Sequence, residues 1–249
     1  PKTKIRRNIK TIAKPSKKQD NLKMIKNIFL DAGGVILDET DFEENSSKII
    51  TNIIKNYTGK YAIKNYWNDV DEAVYRFVSK VYDYILYKNI KNIDDFKKAK
   101  TQYKNELKNT PAKFEFMDGL QIFLETFSKH YKIGILGQYG KDFKQFLEDK
   151  DVLKYFTFTE MQDDYKITKP DPRYFEAILE KCKCKPEESI MTGDRIDKDI
   201  IPAKAIGMKT IRIKTGIHKN QEPRIPEEMP DLTVEKINEI KLETIKAMI

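Results

Sequence analysis

No run in this chain approaches the roughly 18 consecutive apolar residues that a membrane-crossing helix needs. The N-terminal stretch is basic and polar, with no apolar signal-peptide core. The expectation is a soluble protein of the cytoplasm. Cysteine is scarce too: Cys182 and Cys184 stand one residue apart, too close for an ordinary disulfide framework and without the second pair that a zinc site requires. They read as incidental thiols. Internal repeats are absent, and acids are nearly missing from positions 1–23, where nine Lys or Arg accompany the single Asp20. That segment alone supplies the whole formal charge of +8. The other 226 residues carry 38 basic and 38 acidic side chains, so the folded part offers no basic face for nucleic acid. Residues 1–24 read as a disordered extension, with a targeting or polyanion-binding arm as the alternative and Met24 opening the globular unit.

What is present is enough apolar material, 39% with 13 Phe and 13 Tyr, for one generous core or two modest ones in 249 residues. Ile25 to Leu30 is an apolar run that ends at Asp31 and is followed by Gly33-Gly34 and a second apolar stretch, Val35 to Leu37. A buried strand closing in a tight turn fits this pattern. From Asp41 to Asn109 the period becomes helical, with Val70, Val74, Phe77, Val78, Val81, Tyr84 and Ile85 on one stripe, and Asn92 is placed to cap a further helix. No strand-like alternation interrupts that region. After Pro111, helices near 118–130, 141–149, 172–182, 197–206 and from about Val234 alternate with strands near 132–136, 156–159, 189–192 and 210–214.

Apolar strands alternating with amphipathic helices specify an α/β fold, a doubly wound parallel sheet covered on both faces. The predicted division is a core of 25–37 and 116–249 with an inserted all-helical cap at 38–115. In such sheets ligands bind outside the carboxyl ends of the strands. Asp31, Gly137 and Asp194 fall at or just past such ends, and Lys169 lies in the connection after another.

Four segments, in order, resemble the motifs of the haloacid dehalogenase (HAD) superfamily. They are Ile28-Phe29-Leu30-Asp31-Ala32-Gly33-Gly34-Val35, the run Ile133-Gly134-Ile135-Leu136 reaching Gly137-Gln138, Lys169-Pro170-Asp171-Pro172, and Gly193-Asp194-Arg195-Ile196-Asp197-Lys198-Asp199. The resemblance covers residues 25–249. It implies a Rossmann-like core with a helical cap of the first cap class, and a hydrolase acting on a small phosphorylated metabolite. Asp31 would be the nucleophile that forms an aspartyl-phosphate, dividing hydrolysis into two easier displacements.

Incoming phosphate would be repelled by Asp31, Asp194 and Asp199 unless a cation and an ammonium neutralised them, which calls for Mg2+ and Lys169. By the same resemblance the ion is held by Asp31, Asp194, Asp199 and the backbone carbonyl of Gly33. Gly33, Gly34, Gly137, Gln138 and Lys169 would surround the phosphate. Cap residues Tyr57, Trp67, Tyr75, Arg76 and Tyr82 are candidates for substrate contact or for packing within the cap.

Two positions depart from the family pattern. Gly33 stands where phosphatases of this type carry the Asp that protonates the leaving alcohol, a contribution worth about 10²–10⁴-fold. Gly137 stands where a Ser or Thr hydroxyl would hold a phosphate oxygen. These glycines leave open a catalytically vestigial binding or interaction protein. A haloacid dehalogenase, which uses the same nucleophile without a metal, is disfavoured by the retention of both Asp194 and Asp199.

Overall fold

A computed structural model of the chain describes residues 24–137, 139–159 and 166–248. The basic extension and Gln138 lie outside the described residues.

Strand β1 (Asn27–Leu30) is buried along its whole length. After a turn, β2 (Leu37–Asp38) leads into four helices: α1 (Thr40–Thr58), α2 (Ile63–Tyr75), α3 (Val81–Asn89) and α4 (Ile93–Asn109). The chain returns through β3 (Glu115–Phe116), which pairs antiparallel with β2. There follow α5 (Leu120–Phe127), β4 (Lys132–Ile135), α6 (Lys141–Asp149), β5 (Phe156–Phe158), α7 (Pro172–Lys181) and β6 (Ser189–Gly193). The last elements are α8 (Ile201–Ala205), β7 (Lys209–Ile213), β8 (Leu232–Val234) and α9 (Leu242–Ala247).

The six longer strands form one parallel sheet in the order β5-β4-β1-β6-β7-β8. Central β1 lies between β4 and β6, which explains why its side chains are apolar on both faces: each face carries a layer of helices. One layer packs Leu120, Phe123, Leu124, Phe127, Phe143 and Ile245 against Ile28 and Leu30. The other packs Tyr174, Phe175, Ile178, Leu179 and Ala203 against Phe29 and Met191. The expected doubly wound parallel sheet is therefore present.

The inserted helices own a separate core of Ile50, Ile53, Ile54, Tyr66, Val70, Val74, Ile85 and Leu86. Asn92 caps α4 as expected, its side chain accepting from the N–H groups of Asp94 and Asp95. The apolar stripe from Val70 to Ile85 is, however, split between two helices. The chain breaks at Phe77, which adopts φ 57 and lays its ring against the Arg224 guanidinium at 3.8 Å. The stripe survives the break because α2 and α3 face the same small core.

Two further expectations need correction. Val234 ends strand β8 instead of starting a helix; Thr233 and Val234 are residues suited to a strand, and they pair with Arg212 and Ile213. The segment 197–206 is not one regular helix. Its first turn, Ile196–Ile200, is a widened π-type turn in which the Ile200 N–H reaches Arg195 O, and Pro202 supplies no N–H for a regular bond one turn back.

Candidate active site

Asp31 is the first residue past β1. Its N–H donates to Thr192 O at 2.8 Å, so the backbone that carries it is pinned to β6. Gly34 follows with φ 67, a left-handed turn that favours glycine, and Thr215 Oγ1 donates to its carbonyl at 2.7 Å. Lys169 is delivered from the connection before α7. Asp171 caps that helix through the Arg173 N–H, and Pro172 occupies the first helical position, where no N–H is needed.

The Lys169 ammonium, 2% exposed, donates to Asp31 Oδ1 at 2.8 Å and to Asp199 Oδ1 at 2.6 Å. Oxygens of Asp31, Asp194 and Asp199 lie within 4.8 Å of one another. Segments about 140 and 170 residues apart in the chain thus meet at one point, past the carboxyl ends of adjacent strands.

Charge is concentrated here beyond what one lysine neutralises. Burial alone would depress the Lys169 ammonium, but Asp199 and Asp31 beside it more than offset this and hold it above the ordinary lysine value. Burial pushes Asp199 up to about 6 against the pull of Lys169, and burial together with Asp199 and Asp31 drives Asp194 well above its usual range. Two buried carboxylates and the half-buried Asp31 around one ammonium are a site that gains from a second cation. Hard carboxylate oxygens within 4.8 Å of one another are the donor type that magnesium takes in its octahedral shell. The residues present fit the ion.

The other sequence candidates are distributed around this centre. Gly33 lines the cleft beside Asp31. Gly137 lies behind it: a Cβ there would come within 2.8 Å of the Ala32 Cβ and 3.3 Å of Asp31 Oδ1, so the backbone has no room for a side chain, and its carbonyl accepts from Tyr174 OH at 3.2 Å. Tyr82 reaches the cleft, where its hydroxyl donates to Glu43 Oε1 at 2.5 Å. Trp67 lines a neighbouring hollow instead. Tyr57, Tyr75 and Arg76 lie outside both, with Tyr75 78% exposed.

The cleft between core and inserted helices has a volume of about 430 Å³ and includes residues that sequence reasoning passed over. Glu39 and Glu43 project from the start of α1, Tyr139 from the loop after β4, and Lys80 and Lys104 from the helical side. Burial raises the Glu39 carboxyl above its ordinary range against the hydrogen bond from Tyr139 OH, and raises Glu43 to about 7. Gln221, fully buried, accepts the Ile196 N–H at 2.6 Å and donates to Asp197 Oδ1 at 2.9 Å, so it braces the acidic turn from behind. None of these six carries a local motif; their positions arise from contacts between distant segments.

Fold and site together give a parallel α/β sheet, with four helices inserted between β2 and β3 and a lysine–carboxylate centre at the strand ends. The chain belongs to the haloacid dehalogenase-like hydrolase family, whose model matches residues 35–213. It is 34% identical over 86 residues to a glyceraldehyde 3-phosphate phosphatase of Methanopyrus kandleri, covering 34% of this chain and 37% of that one. It is 33% identical over 88 residues to a phosphoserine phosphatase of Thermus thermophilus, covering 35% and 34%. The chain spans between about a quarter and just over half the length of the glyceraldehyde 3-phosphate phosphatases it matches.

Among solved structures it is similar to a phosphatase of Clostridium difficile, with TM-score 0.63, 22% identity, and coverage of 91% of this chain and 99% of that one. The HAD-hydrolase YfnB of Bacillus subtilis bound to magnesium gives 0.59 at 18% identity, covering 87% and 97%. A 2-haloacid dehalogenase of Pseudomonas syringae gives 0.55, also at 18%, covering 90% and 99%. At these identities the likeness is one of fold. Among the described residues no helix is long and apolar enough to cross a membrane.

Proposed function

We propose that this chain is a magnesium-dependent phosphohydrolase of a small phosphorylated metabolite, working through an aspartyl-phosphate at Asp31. The observation that carries the reading is the shared Lys169 ammonium between Asp31 and Asp199, with Asp194 close enough to complete a divalent-cation site. Lys169 holds Oδ1 of Asp31, which orients the carboxylate and leaves Oδ2 to attack phosphorus. As the new P–O bond forms, the bond to the leaving oxygen breaks and that oxygen departs with the electron pair and takes up a proton. Water then attacks the phosphorus of the acyl phosphate, releasing inorganic phosphate and regenerating the Asp31 carboxylate. Bound magnesium would supply charge neutralisation for the phosphoryl oxygens, held by Asp31, Asp194, Asp199 and the carbonyl of Gly33.

Lys169 contributes the matching positive charge from the protein side throughout, since its neighbours keep it protonated. The inserted helices close the cleft above, and Lys80 and Lys104 there favour an anionic ligand. The similarity to phosphatases of glyceraldehyde 3-phosphate and phosphoserine supports a substrate of that size. A dehalogenase needs only the nucleophilic carboxylate, and would leave two of the three clustered acids without a role.

The test is phosphate release from a panel of small phosphate esters, with and without magnesium, for the wild-type chain and Asp31→Asn. Turnover that requires magnesium and vanishes in Asp31→Asn supports the assignment. No turnover of any ester sinks it and favours a binding protein.

A further inference from the structure

The cleft contains a carboxyl group placed where the chain has no side chain of its own. Gly33 does not have a left-handed backbone, so no turn requirement excludes a larger residue there. What excludes it is Glu39. A Cβ on Gly33 would lie 2.6 Å from Glu39 Oε1, 2.7 Å from its Cδ and 2.8 Å from its Oε2, so all three carboxyl atoms rest against the bare Cα. The glutamate fills the space that a side chain at 33 would take, in the cleft that Asp31 also lines.

The local structure frees Glu39 for this position. It precedes α1 yet makes no side-chain cap; Asp38 Oδ1 instead accepts from the Thr40 N–H at 2.8 Å and the Thr40 hydroxyl at 2.6 Å. Its backbone is fixed by the Glu43 N–H, which donates to Glu39 O at 2.9 Å. Its carboxyl is fixed by Tyr139, whose hydroxyl donates to Oε1 at 2.6 Å and whose ring packs on Phe143 and Phe114 with centroids at 5.1 and 6.4 Å.

The chemistry narrows the choice of partner for the departing oxygen. An alkoxide leaving phosphorus is strongly basic and needs a proton in the transition state. Asp31 and Asp199 are both held by the Lys169 ammonium, and Asp199 Oδ2 also accepts the Arg195 N–H at 3.1 Å. Glu39 and Glu43 are each bonded to a neutral hydroxyl, of Tyr139 and of Tyr82, and of the two it is Glu39 that stands against Gly33, two residues beyond the nucleophile.

We propose that Glu39 is the catalytic acid–base of this site, held by Tyr139 and admitted to the cleft by the missing side chain at Gly33; this rests on the phosphohydrolase reading above. In the first half-reaction the Glu39 carboxyl gives its proton to the leaving oxygen as the P–O bond breaks. In the second, the resulting carboxylate takes a proton from the water that attacks the aspartyl-phosphate, which restores the starting state.

The experiment compares an alkyl phosphate with an aryl phosphate, whose phenolate leaves without much help from an acid. Glu39→Gln keeps the shape and the Tyr139 contact and removes the transferable proton. Its alkyl turnover is expected to fall on the order of 10²–10⁴-fold while aryl turnover falls less than about tenfold. Glu39→Ala should show the same split, and adding Gly33→Asp to it should restore alkyl turnover by more than about tenfold, because the collision is gone and a carboxyl is returned to the same cleft. Gly33→Asp alone, made against an intact Glu39, should bring no gain. Equal losses on both esters in a Glu39→Gln protein that melts like wild type, or no loss on either, would overturn the assignment while leaving the phosphohydrolase reading standing. A wild-type protein silent on both esters with magnesium overturns the two together.

Discussion

The Asp199 carboxylate packs onto the bare Cα of Gly193, at the point where β6 ends and the acidic turn begins. A Cβ at 193 would overlap both Cβ and carboxyl of Asp199, so the two positions are matched by size. Replacing Gly193 with Ala should therefore push Asp199 off Lys169 and out of the carboxylate cluster. We expect a stability loss of about 1–3 kcal/mol, as for other overpacked interiors, together with loss of magnesium-dependent turnover. Denaturant unfolding and a phosphate-release assay check both; a fully active Gly193→Ala protein would show that Asp199 is not held where it is needed.

Lys169 is the counter-charge for this cluster, and its removal should be felt before any chemistry occurs. Lys169→Met leaves buried Asp194 and Asp199 and half-buried Asp31 without an ammonium, a break that costs about 3–5 kcal/mol when a buried pair loses one partner. The loss should be largest at neutral pH and shrink in acid, where protonation discharges the acids. Urea titrations at pH 7.5 and 5 measure the difference, and a variant equally stable to wild type at pH 7.5 would contradict it.

Magnesium and protons should compete for the same oxygens. Asp199 titrates near 6 in the folded chain against an ordinary 3.8, so between those values the folded state binds more protons than the unfolded one. Its contribution to stability is therefore present in acid and declines as pH rises from about 4 through 6. Magnesium should reverse that decline: the rise in melting temperature on adding the ion should be large at pH 7.5 and small at pH 5. Calorimetry with and without EDTA at the two pH values reads this directly, and equal increments would separate the ion from these carboxylates.

His218 should show the opposite slope. Burial pushes its imidazole down to about 3 from 6.5, and its Nδ1 is enclosed without a partner among the described residues. Below about 6.5 the unfolded ring takes a proton that the folded ring refuses, so stability falls as pH drops through that window, by about 1.4 kcal/mol per unit for one proton. His218→Gln should lack this component. The unfolding free energy of wild type is expected to fall relative to the variant between pH 7.5 and 4.5, and parallel profiles would rule out a neutral buried ring.

How legible these parts were depended on how local they are. Asp31, Lys169 and Asp194 each sit within a few residues of a strand end or a helix cap, and the same short segments that mark the element also mark the side chain. The alternation of apolar strands and amphipathic helices exposed the parallel sheet for a similar reason: each strand's burial is written in its own few residues. Val234 was misread because a three-residue strand at the sheet edge is too short to display a period. The break at Phe77 was hidden because α2 and α3 share one apolar face, so the stripe runs on across the bend. Glu39 had no local sign at all. Its meaning depends on the space over Gly33 and on Tyr139, 100 residues further along. Gln221 likewise braces Ile196 and Asp197 across the fold.

The helical insertion is tied to the sheet through the short β2–β3 pairing and packs around an apolar cluster in which, among the described residues, Ile217 is the contribution from beyond the insertion. Substitutions inside that cluster and inside the sheet's own layers share almost no neighbours, so their energetic effects should add instead of compounding. A lineage can thus rework the ceiling of the cleft, and with it ligand choice, while the machinery on the floor stays under separate selection. Glu39 is the exception, since it stands at the foot of the first inserted helix with its carboxyl on the floor. Drift at the base of α1 would trade ligand range against rate, and drift elsewhere in the insertion would not.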